Sequence, residues 1–382
     1  MRGVQAPIIP VIADLIHETP GTISLGQGVV YYGPPESALE RARQIDNSLS
    51  YHLYSTVEGI SELRTAITKK LSTENDIELN DRRRIVVTAG SNMAFVNAIM
   101  AIADPGDEII LISPYYFNHE MAVTMLNCKT VIVPCDETYQ PELDELQNAI
   151  TNKTKAIVTV SPNNPSGAVY PEEILRKINA LCRDNNIYHI SDEAYEYFTF
   201  DDAKHFSPAS IQNSSEYTIA LFSLSKAYGF ASWRIGYMVI PEDLYMPIKK
   251  VQDTYLICPV RISQEAAIAA MNEGKGFCLS HIGQIKTVRN ELYHALQEIS
   301  DFCITPKTNG AFYFLVKLDT KLSGMKVVES LIKNHKIAVI PGETFGLTNG
   351  CYLRIAYGAL DKKTSSEGIQ RLIKGLSEII KK

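Results

Sequence analysis

The sequence predicts an α/β protein with a large, mostly parallel sheet covered by helices, followed by a smaller α+β domain. Up to about residue 240, short β-branched runs alternate with longer amphipathic stretches, which is typical of a parallel sheet with helices on both faces. Beyond residue 241 the pattern changes to long helical stretches and a few short strands. The chain has 382 residues, which is enough for two domains at about 150 residues each.

The first part contains a series of strand candidates with helical patterns between most of them. The strand candidates are residues 85–88, 108–112, 130–134, 156–160, 187–191, 218–223 and 235–240. The helical patterns are residues 92–102, 141–150 and 171–185. The turn Asp104-Pro105-Gly106 ends one helix before the next strand begins.

The second part is predicted to contain helices over 241–273 and 277–299. Three strand candidates follow, at residues 311–318, 337–340 and 352–357. We therefore predict an N-terminal arm that also forms part of the small domain (1–40), a large domain (41–275) and a C-terminal small domain (276–382).

Composition and missing motifs exclude several classes of protein. The net charge of −6 gives no general basic surface for nucleic acid or an acidic membrane. No apolar run approaches the roughly 18 residues of a membrane helix, and the N-terminus lacks the apolar region of a signal peptide, so we expect a cytoplasmic protein. There is also no P-loop, GxGxxG, HExxH or GxSxG motif.

The seven cysteines predict neither a zinc site nor a disulfide framework. Their number is odd and none has CxxC spacing, so we interpret them as reduced and mostly buried small hydrophobic residues, and we expect no metal site.

Four polar clusters follow predicted strands of the first part: TAGSN (88–92), SPNNPSG (161–167), ISDEAY (190–195) and FSLSKAYG (222–229). Ligands of open parallel sheets bind at the carboxyl ends of strands, so these clusters are interpreted together. Taken singly, each has a simpler explanation: an N-cap, a turn, a helix cap and a solvated loop lysine.

Together the clusters supply a lysine amine, a buried acid, amide and hydroxyl donors, and small residues at a helix N-terminus that can bind an anion. Burial lowers the pKa of a lysine and frees its amine as a nucleophile or base. A pyridoxal phosphate enzyme needs these groups: a lysine for the Schiff base, an acid for the pyridine nitrogen and a phosphate site.

The ordered motifs NPSG, SDEAY, SLSKAYGFASWRIG and YLRIAYG resemble those of the class I and II aminotransferases, which are fold-type I pyridoxal phosphate enzymes. The resemblance extends from about residue 24 to residue 358. It implies that pyridoxal 5'-phosphate is the cofactor. It also implies that an amino group moves between an L-amino acid and a 2-oxo acid in two half-reactions.

The resemblance assigns the central cofactor contacts. Lys226 would be the Schiff-base lysine, whose amine later moves the α-carbon proton, and Asp192 would bind the pyridine nitrogen. Asn164 and Tyr195 would hold the 3-oxygen of the cofactor, and Tyr116 would stack on its ring unless it is an ordinary core aromatic.

Further residues are assigned to the phosphate, the substrate and the partner subunit. The phosphate binders would be Ser223, Ser225 and Arg234, along with the backbone N–H groups of Ser91 and Asn92. The substrate α-carboxylate would be bound by Arg354, which without the resemblance could be a solvent-facing strand residue, together with Gly28 and Asn164. Tyr54 would reach the phosphate of a neighbouring subunit, which implies a homodimer.

The resemblance also bears on the substrate side chain. Some aspartate-using relatives carry a lysine where this chain has Asn92, and a neutral amide cannot supply that charge. Val29-Val30-Tyr31-Tyr32 is expected to line the substrate pocket, and its two tyrosines favour aromatic, methionine-like or other large side chains. A broad specificity also remains open.

Two other functional interpretations of this sequence compete with an aminotransferase. A carbon–sulfur β-lyase would use the same Lys226 and Asp192, but a group would leave from the β-carbon. A non-catalytic homologue should have lost one of these two residues, and this chain has both.

Overall fold

The computed structural model describes residues 1 and 3–381. In this part of the chain the strands are β1 (Ile23–Ser24), β2 (Arg83–Thr88), β3 (Glu108–Ser113), β4 (Lys129–Pro134), β5 (Thr154–Val160), β6 (Tyr188–Asp192), β7 (Thr218–Ser223), β8 (Gly236–Pro241), β9 (Cys303–Ile304), β10 (Tyr313–Leu318), β11 (Ile337–Ala338), β12 (Ile340–Pro341) and β13 (Cys351–Ala356).

The helices, numbered in the same way, begin near the N-terminus and continue to the end of the described chain. They are α1 (Ile8–His17), α2 (Glu36–Arg43), α3 (Ser61–Glu74), α4 (Ser91–Ile102), α5 (Phe117–Met125), α6 (Leu143–Ala149), α7 (Glu172–Asp184), α8 (Leu224–Ala227), α9 (Tyr245–Tyr255), α10 (Arg261–Glu273), α11 (Lys275–Gln297), α12 (Gly324–His335) and α13 (Lys362–Ile380).

The large sheet has the strand order β2-β8-β7-β6-β5-β3-β4. All neighbours from β7 to β4 pair in parallel, whereas β8 is antiparallel to both β7 and β2. Only β8 of these seven strands therefore runs against the others. The carboxyl ends of β2, β3, β5, β6 and β7 lie along one edge, which brings the four polar clusters of the sequence to the same edge.

Helices cover both faces of this sheet, as predicted. Ile109 and Leu111 of β3 pack in a core with Phe95 of α4, while Ile110 and Ile112 belong to a core with residues of α6 and α7. Adjacent side chains of a strand point to opposite faces, so a nearly continuous apolar run indicates a strand buried on both sides. The predicted fold class is confirmed.

The smaller sheet has the order β12-β13-β10-β9, and all its pairs are antiparallel. Helices α11, α12 and α13 pack together beside it. The short strand β1 pairs in parallel with β11, so the N-terminal segment lies against this C-terminal part of the chain. The proposed boundaries at residues 40 and 275 stay predictions.

Two sequence expectations about elements are wrong. The helix expected over 241–273 is broken into α9 and α10, because Pro259 lacks an N–H and Ile257 adopts a φ of 66°. The strand expected over 337–340 is divided into β11 and β12, since the chain changes partner there: β11 pairs with β1 and β12 with β13.

The remaining global expectations concern cysteines, metals and membranes. All seven cysteines are free. The described residues include no cluster of three or more potential metal-ligating His, Cys, Asp or Glu side chains, and no helix among them is both long and apolar enough to span a membrane. The cytoplasmic location, and the lack of nucleic acid or membrane partners, stay predictions.

Candidate active site

A cavity of about 420 Å³ lies where the strand ends of the large sheet face the N-terminal segment and the small sheet. The structure brings together at this cavity all but one of the predicted site residues: Gly28, Ser91, Asn92, Tyr116, Asn164, Asp192, Tyr195, Ser223, Ser225, Lys226, Arg234 and Arg354. A concave site lined by several polar groups of this kind is the ordinary form of a small-molecule site.

Lys226 lies in the short helix α8, directly after β7. The turn into α8 is held by Ser223, whose Oγ accepts a hydrogen bond from the backbone N–H of Ser225 at 3.2 Å. The Lys226 ammonium donates to the carbonyl of Gly28 across the cavity. Burial, helped by the positive charges of Arg354 and Arg234, lowers the pKa of Lys226 to about 8, and the Asp192 carboxylate opposes this shift. The charged form of this amine is therefore less favoured than that of an exposed lysine.

Asp192 is the last residue of β6 and is 3% exposed. One carboxylate oxygen, Oδ1, accepts a hydrogen bond from the backbone N–H of Ala194 at 3.1 Å. The other, Oδ2, lies 3.1 Å from Nε2 of His119, whose ring stacks on Phe95 with centroids 4.0 Å apart. A buried carboxylate is costly without such partners, so this setting indicates a fixed acceptor at the base of the cavity.

A chain of side-chain contacts joins the large and small sheets at the cavity. Nη1 of Arg354, which is 2% exposed, donates to Oδ1 of Asn164 at 2.9 Å, and Nδ2 of Asn164 donates to the hydroxyl of Tyr195 at 3.3 Å. The Tyr195 hydroxyl lies 2.8 Å from the hydroxyl of Tyr313. Arg354 also donates to the carbonyl of Gly26 at 2.6 Å, so it points inward rather than to solvent.

One end of the cavity is formed by a glycine turn, a helix start and an arginine. Gly90 has a φ of 82°, and a Cβ at this position would lie 2.3 Å from Nη2 of Arg234. Glycine therefore allows the guanidinium to approach the start of α4. Ser91 and Asn92 are the first residues of that helix, where backbone N–H groups lack helical acceptors and favour an anion.

Tyr54 is the one predicted site residue that the structure does not bring to the cavity. It is 80% exposed, on a loop away from the other site residues. Its predicted role concerns a second subunit, so this assignment stays a prediction.

The pocket expected from Val29-Val30-Tyr31-Tyr32 is only partly found. Val29 lines the cavity, but the two tyrosines pack on α11 instead. The Tyr32 ring stacks on His281 with centroids 4.0 Å apart, and its hydroxyl donates to the carbonyl of Lys226 at 3.1 Å. The two tyrosines face α11 because its aromatic side chains, Phe277 and His281, offer them packing partners.

Sequence reasoning missed three residues that line the cavity and one that contacts a lining residue. Tyr313, Pro7 and Ile9 line the cavity, and Tyr313 contacts Tyr195. His119 is not a lining residue but contacts Asp192. The position of His119, one helical turn after Tyr116, was the one available signal. Tyr313 and Ile9 come from distant parts of the sequence, so only the tertiary fold brings them to the site.

The fold and the site define an enzyme of fold type I, with a lysine and an acid at the strand ends of a mostly parallel sheet. A crystal structure from Pyrococcus, described as Pyrococcus protein-A1, superposes with a TM-score of 0.92 at 31% identity and covers 98% of this chain and 97% of that one. Thermus thermophilus aspartate aminotransferase with maleate superposes with a TM-score of 0.89 at 27% identity, covering 98% of both chains.

The chain belongs to the family Aminotransferase class I and II, whose model matches residues 20–372. The Aromatic aminotransferase ISS1 of Arabidopsis thaliana is 33% identical over 99% of this chain and 95% of its own length. A Probable aspartate/prephenate aminotransferase of Aquifex aeolicus is 37% identical over 85% of this chain and 84% of its own. The predicted aminotransferase activity is confirmed, and these relatives give no support to the β-lyase alternative.

Proposed function

We propose that this aminotransferase uses pyridoxal 5'-phosphate held by Lys226 and Asp192, and that it acts on amino acids with large uncharged side chains. The observation that carries the proposal is that the Lys226 amine and the Asp192 carboxylate line one cavity, with Arg354 and an anion-binding turn around them. The family match and the names of the relatives support the reaction class.

The residues present fit this cofactor. Gly90 leaves space for the Arg234 guanidinium beside the start of α4, which suits a phosphate, and the buried Asp192 suits a protonated pyridine nitrogen. When bound, pyridoxal phosphate supplies a ring that accepts the electron pair of the substrate α-carbon. Ser223 and Ser225, both nearly buried at the cavity, add hydroxyl donors for the phosphate.

The side chains have distinct tasks in this proposal. The Lys226 amine takes the proton from the substrate α-carbon, for which a pKa of about 8 is well matched near neutral pH. Asp192, held by His119 and the N–H of Ala194, keeps the proton on the pyridine nitrogen. Tyr116 offers an aromatic face in the cavity, with its hydroxyl fixed by Nδ2 of Asn118 at 2.7 Å.

Arg354 is proposed to bind the substrate α-carboxylate. Its guanidinium is buried, and its Nε has no hydrogen-bond partner among the described residues. Within the described chain, Nη1 and Nη2 donate hydrogen bonds only to the neutral oxygens of Asn164 and Gly26. A planar fork with a free donor is well suited to a carboxylate, so a substrate would supply the missing negative charge.

The rest of the cavity favours an uncharged substrate side chain. Ile9, Val29 and Phe117 contribute apolar surface, and Asn92 and Asn118 contribute neutral amides. The cationic side chains among the described lining residues are Lys226, Arg234 and Arg354, and each already has a role above. A second carboxylate would therefore lack a charged partner, which makes its burial unfavourable.

A panel of amino donors tests this proposal. With 2-oxoglutarate as acceptor, we expect kcat/KM for phenylalanine, tyrosine or methionine to exceed that for aspartate by at least about tenfold, because the distal carboxylate would be buried without a cation. The variant Asn92→Lys should raise the value for aspartate. A strict preference of the wild type for aspartate would contradict the proposal, and pyruvate and ammonia released from cystathionine without an acceptor would instead indicate a β-lyase.

We also propose that the enzyme is a homodimer. Exposed apolar residues of two neighbouring segments form a surface patch, here called the 49–54/255–262 patch: Leu49, Leu53, Tyr54, Tyr255, Ile257, Val260 and Ile262. The segments are adjacent, since Arg261 lies 5.3 Å from the centre of the Tyr51 ring. Grouped apolar exposure of this kind is typical of a subunit interface, and the predicted role of Tyr54 requires a second copy of this chain.

The mass of the purified protein in solution checks the dimer. Light scattering after gel filtration should give twice the mass of one chain. Leu53→Asp in the patch should shift the mass towards the monomer and lower activity. The matched control Ile304→Asp changes an exposed isoleucine outside the patch and should leave the dimer intact. A fully active wild-type monomer at micromolar concentration would refute the proposal.

A further inference from the structure

Tyr313 occupies a junction of the cavity that no sequence motif indicated. It begins β10 of the small sheet, is fully buried and lines the cavity. Its hydroxyl lies 2.8 Å from that of Tyr195, which belongs to the large sheet side of the cavity. The contact therefore links the two parts of the molecule at the residue predicted to hold the 3-oxygen of the cofactor.

The Tyr313 side chain packs closely against Gly28 and Arg354. A Cβ at Gly28 would lie 2.5 Å from this oxygen, so the hydroxyl occupies space that is free only because residue 28 is glycine. On the other side the Arg354 guanidinium lies 4.5 Å from the centre of the Tyr313 ring, within the range of a cation–π contact. The tyrosine has little freedom to move away from Tyr195.

Both hydroxyls keep their protons, and either of them can donate in this contact. Burial raises the pKa of Tyr313 to about 12 and that of Tyr195 well above its ordinary value. The Tyr195 oxygen already accepts a hydrogen bond from Nδ2 of Asn164 at 3.3 Å. Donation by Tyr313 leaves the Tyr195 proton for a partner in the cavity, whereas donation by Tyr195 would use that proton for Tyr313.

We infer that Tyr313 is a positioning residue whose hydroxyl donates to Tyr195 and thereby directs the Tyr195 proton into the cavity, at the 3-oxygen of the bound cofactor. With two donors on its oxygen, Tyr195 has its own proton free for a third partner. This inference rests on the proposed function. The 3-oxygen of the bound cofactor would accept a hydrogen bond from the protonated Lys226 nitrogen. A stronger hydrogen bond from Tyr195 to the 3-oxygen makes that oxygen a weaker acceptor for the nitrogen's proton. Tyr313 is therefore expected to lower the pKa of the Lys226 nitrogen that carries the cofactor.

A pH titration of the visible absorbance of the loaded protein, without substrate, tests the inference. The pH at the midpoint of the absorbance change should be about 0.5 to 1 pH unit higher in Tyr313→Phe than in wild type. A shift of this size corresponds to the loss of one hydrogen bond between neutral groups. The matched control is Tyr237→Phe, which removes a buried hydroxyl without a hydrogen-bond partner in the described chain, away from the cavity. Its midpoint should equal that of wild type.

A double variant separates positioning from a general structural effect. Because Tyr313 acts through Tyr195, Tyr195→Phe should shift the midpoint upward by itself, and adding Tyr313→Phe should produce no further shift. An unchanged midpoint in Tyr313→Phe, or shifts that add in the double variant, would overturn the inference while leaving the proposed function intact. A wild-type protein in which borohydride fixes no cofactor on Lys226 would overturn both.

Discussion

Replacing Lys226 by alanine is expected to lower kcat for transamination by at least about 10⁴-fold, because the variant loses both the amine that carries the cofactor and the base that moves the α-carbon proton. The predicted loss is large because the surroundings of Lys226 lower the pKa of its amine. A pKa of about 8, instead of the ordinary 10.5, increases the fraction of free amine at pH 7 by roughly 300-fold. Steady-state rates with the preferred amino donor measure the effect.

A second lysine provides the control for this variant. Lys155→Ala removes a partly exposed lysine outside the cavity, whose ammonium lies 3.6 Å from Asp107, and should retain wild-type activity. Asp192, Ser223 and Arg234 remain in Lys226→Ala, so this variant should still bind the cofactor, although without the covalent link. Turnover above about 1% of wild type in Lys226→Ala would contradict the role given to this residue.

The Asp192→Asn variant is expected to slow the half-reaction with an amino donor by about 10³-fold or more, with a much smaller effect on cofactor affinity. A neutral amide cannot hold a proton on the pyridine nitrogen, so the ring no longer accepts the electron pair from the α-carbon. His119 would also lose its carboxylate partner at 3.1 Å. Stopped-flow absorbance in single turnovers measures the rate, and equilibrium dialysis measures retention of the cofactor.

The neighbouring acid is a stringent control for Asp192→Asn. Glu193 is also buried, but it faces away from the cavity and accepts hydrogen bonds from Ser207 at 2.8 Å and His205 at 2.9 Å. Glu193→Gln should therefore leave the half-reaction rate close to that of wild type. An Asp192→Asn variant no slower than Glu193→Gln would show that the carboxylate at 192 is not the acceptor at the pyridine nitrogen.

The sequence predicted the strand ends of the site well because parallel strands impose a simple geometry. Asp192 ends β6 and Ser223 ends β7, and these strands pair in register, so neighbouring clusters in the sheet had to meet at one edge. The role of Gly90 follows in the same way from a turn directly after β2, where a positive φ is required.

The rest of the site could not be derived because it depends on contacts between distant segments. Tyr313 reaches Tyr195 only after the small sheet has packed against the large one, and Tyr32 faces α11 because that helix supplies His281 as a stacking partner. No local pattern distinguishes a tyrosine that lines a pocket from one that packs behind it. The assignment of Tyr54 depends on a second subunit, which lies outside a single chain.

Reduction of the loaded protein with borohydride, followed by peptide mapping, is the sharpest test of whether the amine of Lys226 holds the cofactor. The mass of the reduced cofactor is expected on the peptide that contains Lys226, in about one copy per chain. The same peptide from Lys155→Ala should be labelled equally, and Lys226→Ala should not be labelled. Labelling of another lysine in the wild type, or no stable label at all, would show that Lys226 does not hold the cofactor.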